Sequence, residues 1–139
     1  MFASRFEWSD VLARFRVAVL FLDTQPCNAG TTASDALRMG LPLLTLKGQS
    51  FNSREAASIL NSVNLSELIT NSPEEYESLA IELATNPEKM KAIKDKLASN
   101  LSTAPLYDTK LFTKNLESAY TQMYEKYHNG LEPDHIYVE

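Results

Sequence analysis

The sequence has one cysteine, only four glycines, and no apolar run longer than six residues. Cys27 has no second cysteine to pair with, and one thiol with two distant histidines does not make a zinc-ligand pattern. The longest apolar run, residues 17–22, is far shorter than the roughly 20 residues that cross a membrane. The opening residues carry no signal-peptide pattern. These absences predict a soluble chain in a reducing, cytoplasmic setting, with no membrane segment and no metal or other cofactor.

Positive charge is also scarce, since 13 Lys and Arg stand against 18 Asp and Glu, a net charge of −5. No basic stripe interrupts this balance, so the sequence argues against nucleic-acid binding. Hydrophobic residues make up 44% and charged residues 22%, which is typical of a globular protein. With 139 residues and no linker, the chain is predicted to form a single domain over 1–139.

The N-terminal half has the pattern of a strand, a helix and a second strand. Residues 17–22 and 41–46 are apolar runs that suit parallel strands covered on both faces. Between them, residues 32–39 are predicted to form a helix that ends at Gly40. This arrangement predicts a parallel α/β sheet.

Helices are expected to dominate the rest of the chain. A helix over 53–60 and a brief third strand within 65–70 come first. Apolar residues then recur at helical spacing from Pro73 and again beyond Pro87, and Asp108 can cap a last long helix. The predicted fold is therefore α/β, with a short parallel sheet and a helical C-terminal tail.

The loop over residues 24–30 is the expected ligand site, because ligands of parallel sheets lie beyond the carboxyl ends of the strands. Gly30, Thr31 and Thr32 combine free backbone N–H groups, two hydroxyls and the positive end of a helix dipole. These features are typical of a phosphate site, although no P-loop lysine or G-x-G-x-x-G spacing is present. The alternative is a capping box between Thr32 and Asp35, and the pattern alone favours it.

Several ordered blocks of the sequence share a pattern with one enzyme family. They are residues 27–37 (CNAGTTASDAL), 40–45 (GLPLLT), 48–58 (GQSFNSREAAS) and 105–109 (PLYDT). Together they resemble the C-terminal catalytic region of the O-linked N-acetylglucosamine transferases and their SPINDLY-type relatives, glycosyltransferase family 41.

The resemblance implies a GT-B glycosyltransferase, in which two Rossmann-like domains face a cleft and the C-terminal one holds the nucleotide sugar. It implies that Thr31 and Thr32, with Gly30 before them, present donors to a diphosphate and that Asp35 meets the ribose hydroxyls. Arg14 matches a family arginine beside the base, and its alternative role is a surface partner for an acid. The implied reaction moves N-acetylglucosamine from UDP-N-acetylglucosamine to Ser or Thr of a protein acceptor, and no residue here is assigned as catalytic.

Three positions depart from the family pattern. Gly30 and Val11 stand where members that use UDP sugars often carry His, and Trp8 stands roughly where some carry Lys. Each lost contact could weaken binding by about 1–3 kcal/mol, and Trp8 would either stack on the base or simply pack. A non-catalytic protein-interaction or scaffold module with a degenerate nucleotide site therefore stays open as the alternative, as does an unrelated phosphate binder.

Family members also carry an upstream Rossmann-like domain, and the O-linked transferases carry helical repeats before it. The resemblance thus implies an N-terminally incomplete nucleotide-sugar-binding domain that is inactive as an isolated chain. An incomplete parallel sheet leaves unpaired N–H and C=O groups at its edge. We expect the chain to self-associate, as a homodimer, through that edge or a neighbouring apolar surface.

Overall fold

The computed structural model describes residues 7–138, so most of the opening segment that lacks a signal-peptide pattern lies outside the described residues. The helices are α1 (Trp8–Phe15), α2 (Thr31–Arg38), α3 (Glu55–Ser62), α4 (Pro73–Thr85), α5 (Pro87–Leu101) and α6 (Thr109–His128). The strands are β1 (Phe21–Leu22), β2 (Leu43–Leu46) and β3 (Ile69–Thr70), and short 3-10 helices lie at Ser66–Leu68 and Pro105–Tyr107. The predicted α/β arrangement with a helical C-terminal half is confirmed.

The three strands form one parallel sheet in the order β1-β2-β3. Phe21 is in register with Leu43, and Thr45 is in register with Ile69. The first three residues of β2 are buried, which fits a central strand with a neighbour on each side. β2 therefore forms the middle of the sheet, and its carboxyl end and that of β1 lie at the same edge.

The first strand is shorter and more exposed than the sequence predicts. Only Phe21–Leu22 pairs with β2, while Val17 is 85% exposed and Leu22 is 53% exposed. The prediction of a buried strand over 17–22 is wrong because Val17 and Ala18 instead donate backbone hydrogen bonds to the last turn of α1. Within the described residues β1 has one strand neighbour, and self-association through its other edge stays a prediction.

The hydrophobic core lies between β2 and the helices α2 to α5. Its largest fully buried apolar side chains are Leu37, Leu43, Leu44, Leu60, Leu65, Leu68, Leu83, Leu97 and Val63. Burial of a leucine contributes roughly 1.5–3 kcal/mol relative to exposure, so this cluster supplies the main driving force for folding. The leucine-rich runs of the sequence therefore fix where the core forms.

Three helices end in the same backbone motif. Gly40, Asn64 and Gly130 follow α2, α3 and α6 with positive φ values of 81°, 57° and 64°. In each case the next residue donates a backbone hydrogen bond back to the last turn of the helix, as Leu41 does to Ala36. This is the Schellman arrangement, and it confirms the predicted helix end at Gly40.

The chain divides into two compact units, one ending at Ala104 and one beginning at Pro105. The first contains the sheet with α1 to α5, and the second contains α6 and the segment that follows it. In the second unit Lys126 Nζ donates to the backbone oxygen of His135, and Gln122 Nε2 donates to that of Tyr137. None of the helices within residues 7–138 has the length and apolar character needed to cross a lipid bilayer.

Candidate functional site

Two loops meet at the carboxyl edge of the sheet. The loop after β1 leads to α2, and the loop after β2 leads to α3. The backbone N–H of Asn28 donates to the backbone oxygen of Asn52 at 2.9 Å, and Gln25 Nε2 donates to the backbone oxygen of Leu46. These bonds hold the first loop, which the sequence predicts as the ligand site, against the second.

The side chain of Asp23 anchors the first loop to the neighbouring strand β2. Its side chain is only 7% exposed, and Oδ1 accepts from the backbone N–H of Thr24 at 2.9 Å and of Ala29 at 2.8 Å. Oδ2 accepts from the hydroxyl of Thr45 in β2 at 2.7 Å. A buried carboxylate is tolerated only with such partners, so Asp23 fixes the path of the loop just before Gly30. The sequence analysis missed this role, although an acid directly after a strand was its signal.

Tyr76 of α4 also holds the first loop in place, by a hydrogen bond to the backbone of Asp23. Its hydroxyl donates to the backbone oxygen of Asp23 at 2.9 Å. Burial raises the pKa of the Tyr76 hydroxyl, and the negative charge of Asp23 raises it further. The hydroxyl therefore stays protonated, and available as a donor, across the physiological pH range.

The start of α2 has no side-chain cap. The helix begins at Thr31 with Gly30 as its N-cap, and this residue supplies no side-chain cap. The capping-box prediction for Thr32 and Asp35 is wrong, because Thr32 lies inside the helix, where it cannot act as the N-cap. Thr31 and Thr32 are exposed, and the first backbone N–H groups of the helix have no partner within it.

Two buried oxygens near this helix start lack hydrogen-bond partners, namely Asp35 Oδ2 and Asn28 Oδ1. Asn28 is 6% exposed, and its Nδ2 donates to the backbone oxygen of Thr24 at 3.0 Å, as expected of a loop asparagine. A buried acceptor without a donor costs about 1–3 kcal/mol. Both oxygens therefore suit a ligand or solvent molecule that brings a hydroxyl or N–H donor.

Glu55, the first residue of α3, places its carboxylate against Gly30. A Cβ atom built on Gly30 would lie 2.7 Å from Cδ of Glu55 and even closer to Oε1, far inside van der Waals contact. Only glycine leaves room for the carboxylate in this position. The sequence analysis did not predict this contact, because α2 and α3 meet only in the folded chain.

Arg14 lies on a different helix from the other predicted site residues. It is half-buried in the last turn of α1, a helix that the sequence analysis did not predict and that packs on α2. The spacing of Trp8, Val11, Leu12 and Phe15 was the available signal for α1. Trp8 is 60% exposed and so does not belong to the core. The structure thus gathers Gly30, Thr31, Thr32 and Asp35 at one helix start and places Arg14 on the adjoining helix.

No group of three or more His, Cys, Asp or Glu side chains within residues 7–138 is arranged to hold a metal ion. The donors at the α2 start are instead amides and hydroxyls, and its acceptors are single carboxylate and amide oxygens. Such a donor set can bind an anionic group beside a polyol.

Comparison with known proteins gives a consistent result. The model of glycosyl transferase family 41 matches residues 3–116. The probable UDP-N-acetylglucosamine–peptide N-acetylglucosaminyltransferase SEC of Arabidopsis thaliana is 37% identical over 131 residues, which are 94% of this chain and 13% of that protein. The corresponding Caenorhabditis elegans transferase is 32% identical over 96% of this chain and 12% of its own length.

A solved structure extends the likeness to the fold. A mutant of the Thermobaculum terrenum O-GlcNAc transferase superposes with a TM-score of 0.82 at 32% identity. The match covers 88% of this chain and 24% of that one. The chain therefore spans only a small part of the relatives it matches.

Proposed function

Because this chain belongs to glycosyltransferase family 41, we propose that it forms the donor-nucleotide-binding part of an enzyme that transfers N-acetylglucosamine from UDP-N-acetylglucosamine to a protein hydroxyl. The predicted membership of the C-terminal catalytic region and the predicted GT-B type of fold are confirmed. The donor, the acceptor residue and the site residues are the proposed parts.

The uncapped start of α2 carries the proposal. Its first backbone N–H groups, which have no partner within the helix, and the exposed Thr31 and Thr32 lie at the carboxyl edge of a parallel sheet. A diphosphate bound there would gain charge-assisted hydrogen bonds and a favourable interaction with the helix dipole. Negative charge grows on the departing diphosphate during sugar transfer, so the same donors would stabilise the transition state.

Asp35 and Arg14 are assigned to the nucleoside. The unpartnered Oδ2 of Asp35 would accept a hydrogen bond from a ribose hydroxyl, which would satisfy that oxygen. Arg14 would donate from its guanidinium group to a carbonyl oxygen of uracil. No general base is assigned among the described residues, so we expect these 139 residues alone to bind the donor without transferring the sugar.

Calorimetric titration of the chain with UDP, and separately with GDP, tests this function. We expect UDP to bind, and Thr32→Ala and Asp35→Ala each to weaken binding by about five- to fiftyfold, as expected for loss of one hydrogen bond to a charged group or a buried acceptor. Thr121→Ala on α6, whose hydroxyl bonds locally to Glu117, is the matched control and should leave affinity unchanged. Equal affinities for wild type, Thr32→Ala and Asp35→Ala would refute the assignment.

The second candidate function is a protein-interaction or scaffold module that has lost donor binding. The observation that favours it is the carboxylate of Glu55 against Gly30, since a negative charge at this point opposes a diphosphate. Absence of any binding by UDP or GDP at millimolar concentration would favour this alternative over donor binding.

A further inference from the structure

The carboxylate of Glu55 lies near the amino ends of two helices at once. Glu55 is the first residue of α3, and its carboxylate contacts Gly30, the N-cap of α2. Both helix ends carry partial positive charge, so the position is electrostatically favourable for an acid. Within residues 7–138 Glu55 forms no ion pair with a lysine, arginine or histidine. The amino ends of α2 and α3 thus supply the partial positive charge that stabilises this carboxylate.

We propose that Glu55 is a resident competitor for the diphosphate: its carboxylate occupies the amino end of α2 in the free chain and must move away when the ligand binds. This inference rests on the proposed function, because it concerns the same helix end. It makes Glu55 a determinant of donor affinity and, through its charge, of which phosphate ligands the site prefers.

The competition follows from charge and space. The Glu55 carboxylate and a diphosphate are both negative, and both are attracted to the N–H groups and dipole of α2. Glu55 is only half-buried and its side chain is flexible, so rotation can withdraw the carboxylate without unfolding α3. A ligand therefore gains the interactions of the helix end only after it has displaced those of Glu55.

The charge of the ligand sets the size of the effect. The terminal phosphate of a free nucleoside diphosphate carries more negative charge near neutral pH than the same phosphate esterified to a sugar. Repulsion from Glu55 is therefore greater for UDP than for UDP-N-acetylglucosamine. Glu55 would favour the sugar-bearing donor over the free diphosphate that remains after transfer.

A substitution at Gly30 is a second, independent way to displace the carboxylate of Glu55. Its φ of −97° is not in the left-handed region, but its ψ of −91° lies outside the usual regions for residues with a side chain, so the backbone cost of alanine is measured separately in the Glu55→Gln background. A Cβ atom there would collide with the end of the Glu55 side chain, which is flexible enough to move. Gly30→Ala should therefore expel the carboxylate while leaving Glu55 in the sequence.

The test is calorimetric titration of four chains with UDP: wild type, Glu55→Gln, Gly30→Ala and the double variant. We expect Glu55→Gln to bind UDP about two- to tenfold more tightly than wild type, from removal of one like charge near the site. The gain should be smaller for UDP-N-acetylglucosamine. Glu77→Gln, at an exposed position on α4, is the matched control and should not change affinity.

The double variant separates displacement from direct contact. If Gly30→Ala acts by expelling Glu55, it tightens binding in wild type and adds no gain in the Glu55→Gln background, where any direct obstruction by the new methyl group appears alone. Equal or weaker UDP binding by Glu55→Gln, with wild type still binding, overturns this inference and leaves the proposed function standing. Failure of all four chains to bind UDP overturns both.

Discussion

The two halves of the chain differ in how their helices begin. In the helical half, α4, α5 and α6 each have a side-chain cap: Ser72 accepts from Glu75 N at 3.2 Å, Asn86 from Lys89 N at 3.0 Å, and Asp108 from Leu111 N at 2.9 Å. In the α/β half, α1, α2 and α3 have none. The helical half satisfies its helix starts locally, whereas the helix starts of the α/β half have no side-chain cap from their own N-cap residue.

Burial divides the chain at a later point, after Ala104. The buried hydrophobic side chains lie between Ala33 and Ala104, and none of the described residues from 105 onward is buried. The unit that ends at Ala104, which contains α4 and α5 as well as the sheet, therefore obtains its stability from tertiary packing, which can hold the uncapped start of α2 in place. The buried core and the uncapped start of α2 therefore lie in the same unit of the chain.

Leu44→Ala should have the largest effect on stability. Leu44 is fully buried in the central strand, so truncation should lower the free energy of unfolding by about 2–5 kcal/mol. The matched control is Leu116→Ala on α6, where the side chain is 38% exposed and the loss should stay below about 1 kcal/mol. Urea denaturation measures both, and similar losses at the two positions would contradict a core confined to the unit that ends at Ala104.

Asp23→Asn should have a smaller but still large effect, because the carboxylate accepts three hydrogen bonds in a buried position. We expect a loss of about 1–3 kcal/mol in the free energy of unfolding, together with weaker UDP binding, since the loop before Gly30 would lose its anchor. Asp95→Asn, at an exposed site on α5, is the control for removing a charge. An unchanged UDP affinity in Asp23→Asn would show that the anchor does not serve the site.

The smallest effects test the helix starts themselves. Ser72→Ala removes a cap and should cost about 1 kcal/mol of stability, whereas Thr31→Ala removes no cap and should cost less than about 0.5 kcal/mol. For UDP affinity the order should reverse, with a loss only in Thr31→Ala. Thermal denaturation and calorimetric titration of the two variants measure both orders. A cost of 1 kcal/mol or more in Thr31→Ala would mean that this hydroxyl serves the fold.

Local patterns predicted those elements that depend on local interactions. The helix ending at Gly40, the cap at Asp108 and the strands within 41–46 and 65–70 follow from turn chemistry and apolar runs, and the structure has them. The run over 17–22 was overpredicted as a strand because pairing depends on a neighbouring strand, which no sequence window contains. Local sequence patterns thus predicted the type of these elements correctly but overestimated the length of the first strand.

The candidate site shows the same division. The general behaviour of parallel sheets predicts a site at the loop before Gly30, and the structure places that loop at the carboxyl edge of the sheet, while ligand binding there stays a prediction. The roles of Asp23 and Glu55 depend on contacts with Thr45 and Gly30, more than 20 residues away, and these contacts exist only after folding. The capping box failed because the helix begins two residues earlier than its pattern requires, with Gly30 rather than Thr32 as the N-cap. The sequence analysis had every residue type but lacked these contacts between residues that are distant along the chain.

Backbone amide NMR during titration with UDP tests the central claim most directly. If the start of α2 binds the diphosphate, the amide resonances of Gly30, Thr31 and Thr32 will shift most and will saturate together, while those of the capped start of α6 near Asp108 stay in place. Saturable shifts confined to other residues, with the three amides at the α2 start unmoved, would contradict the account.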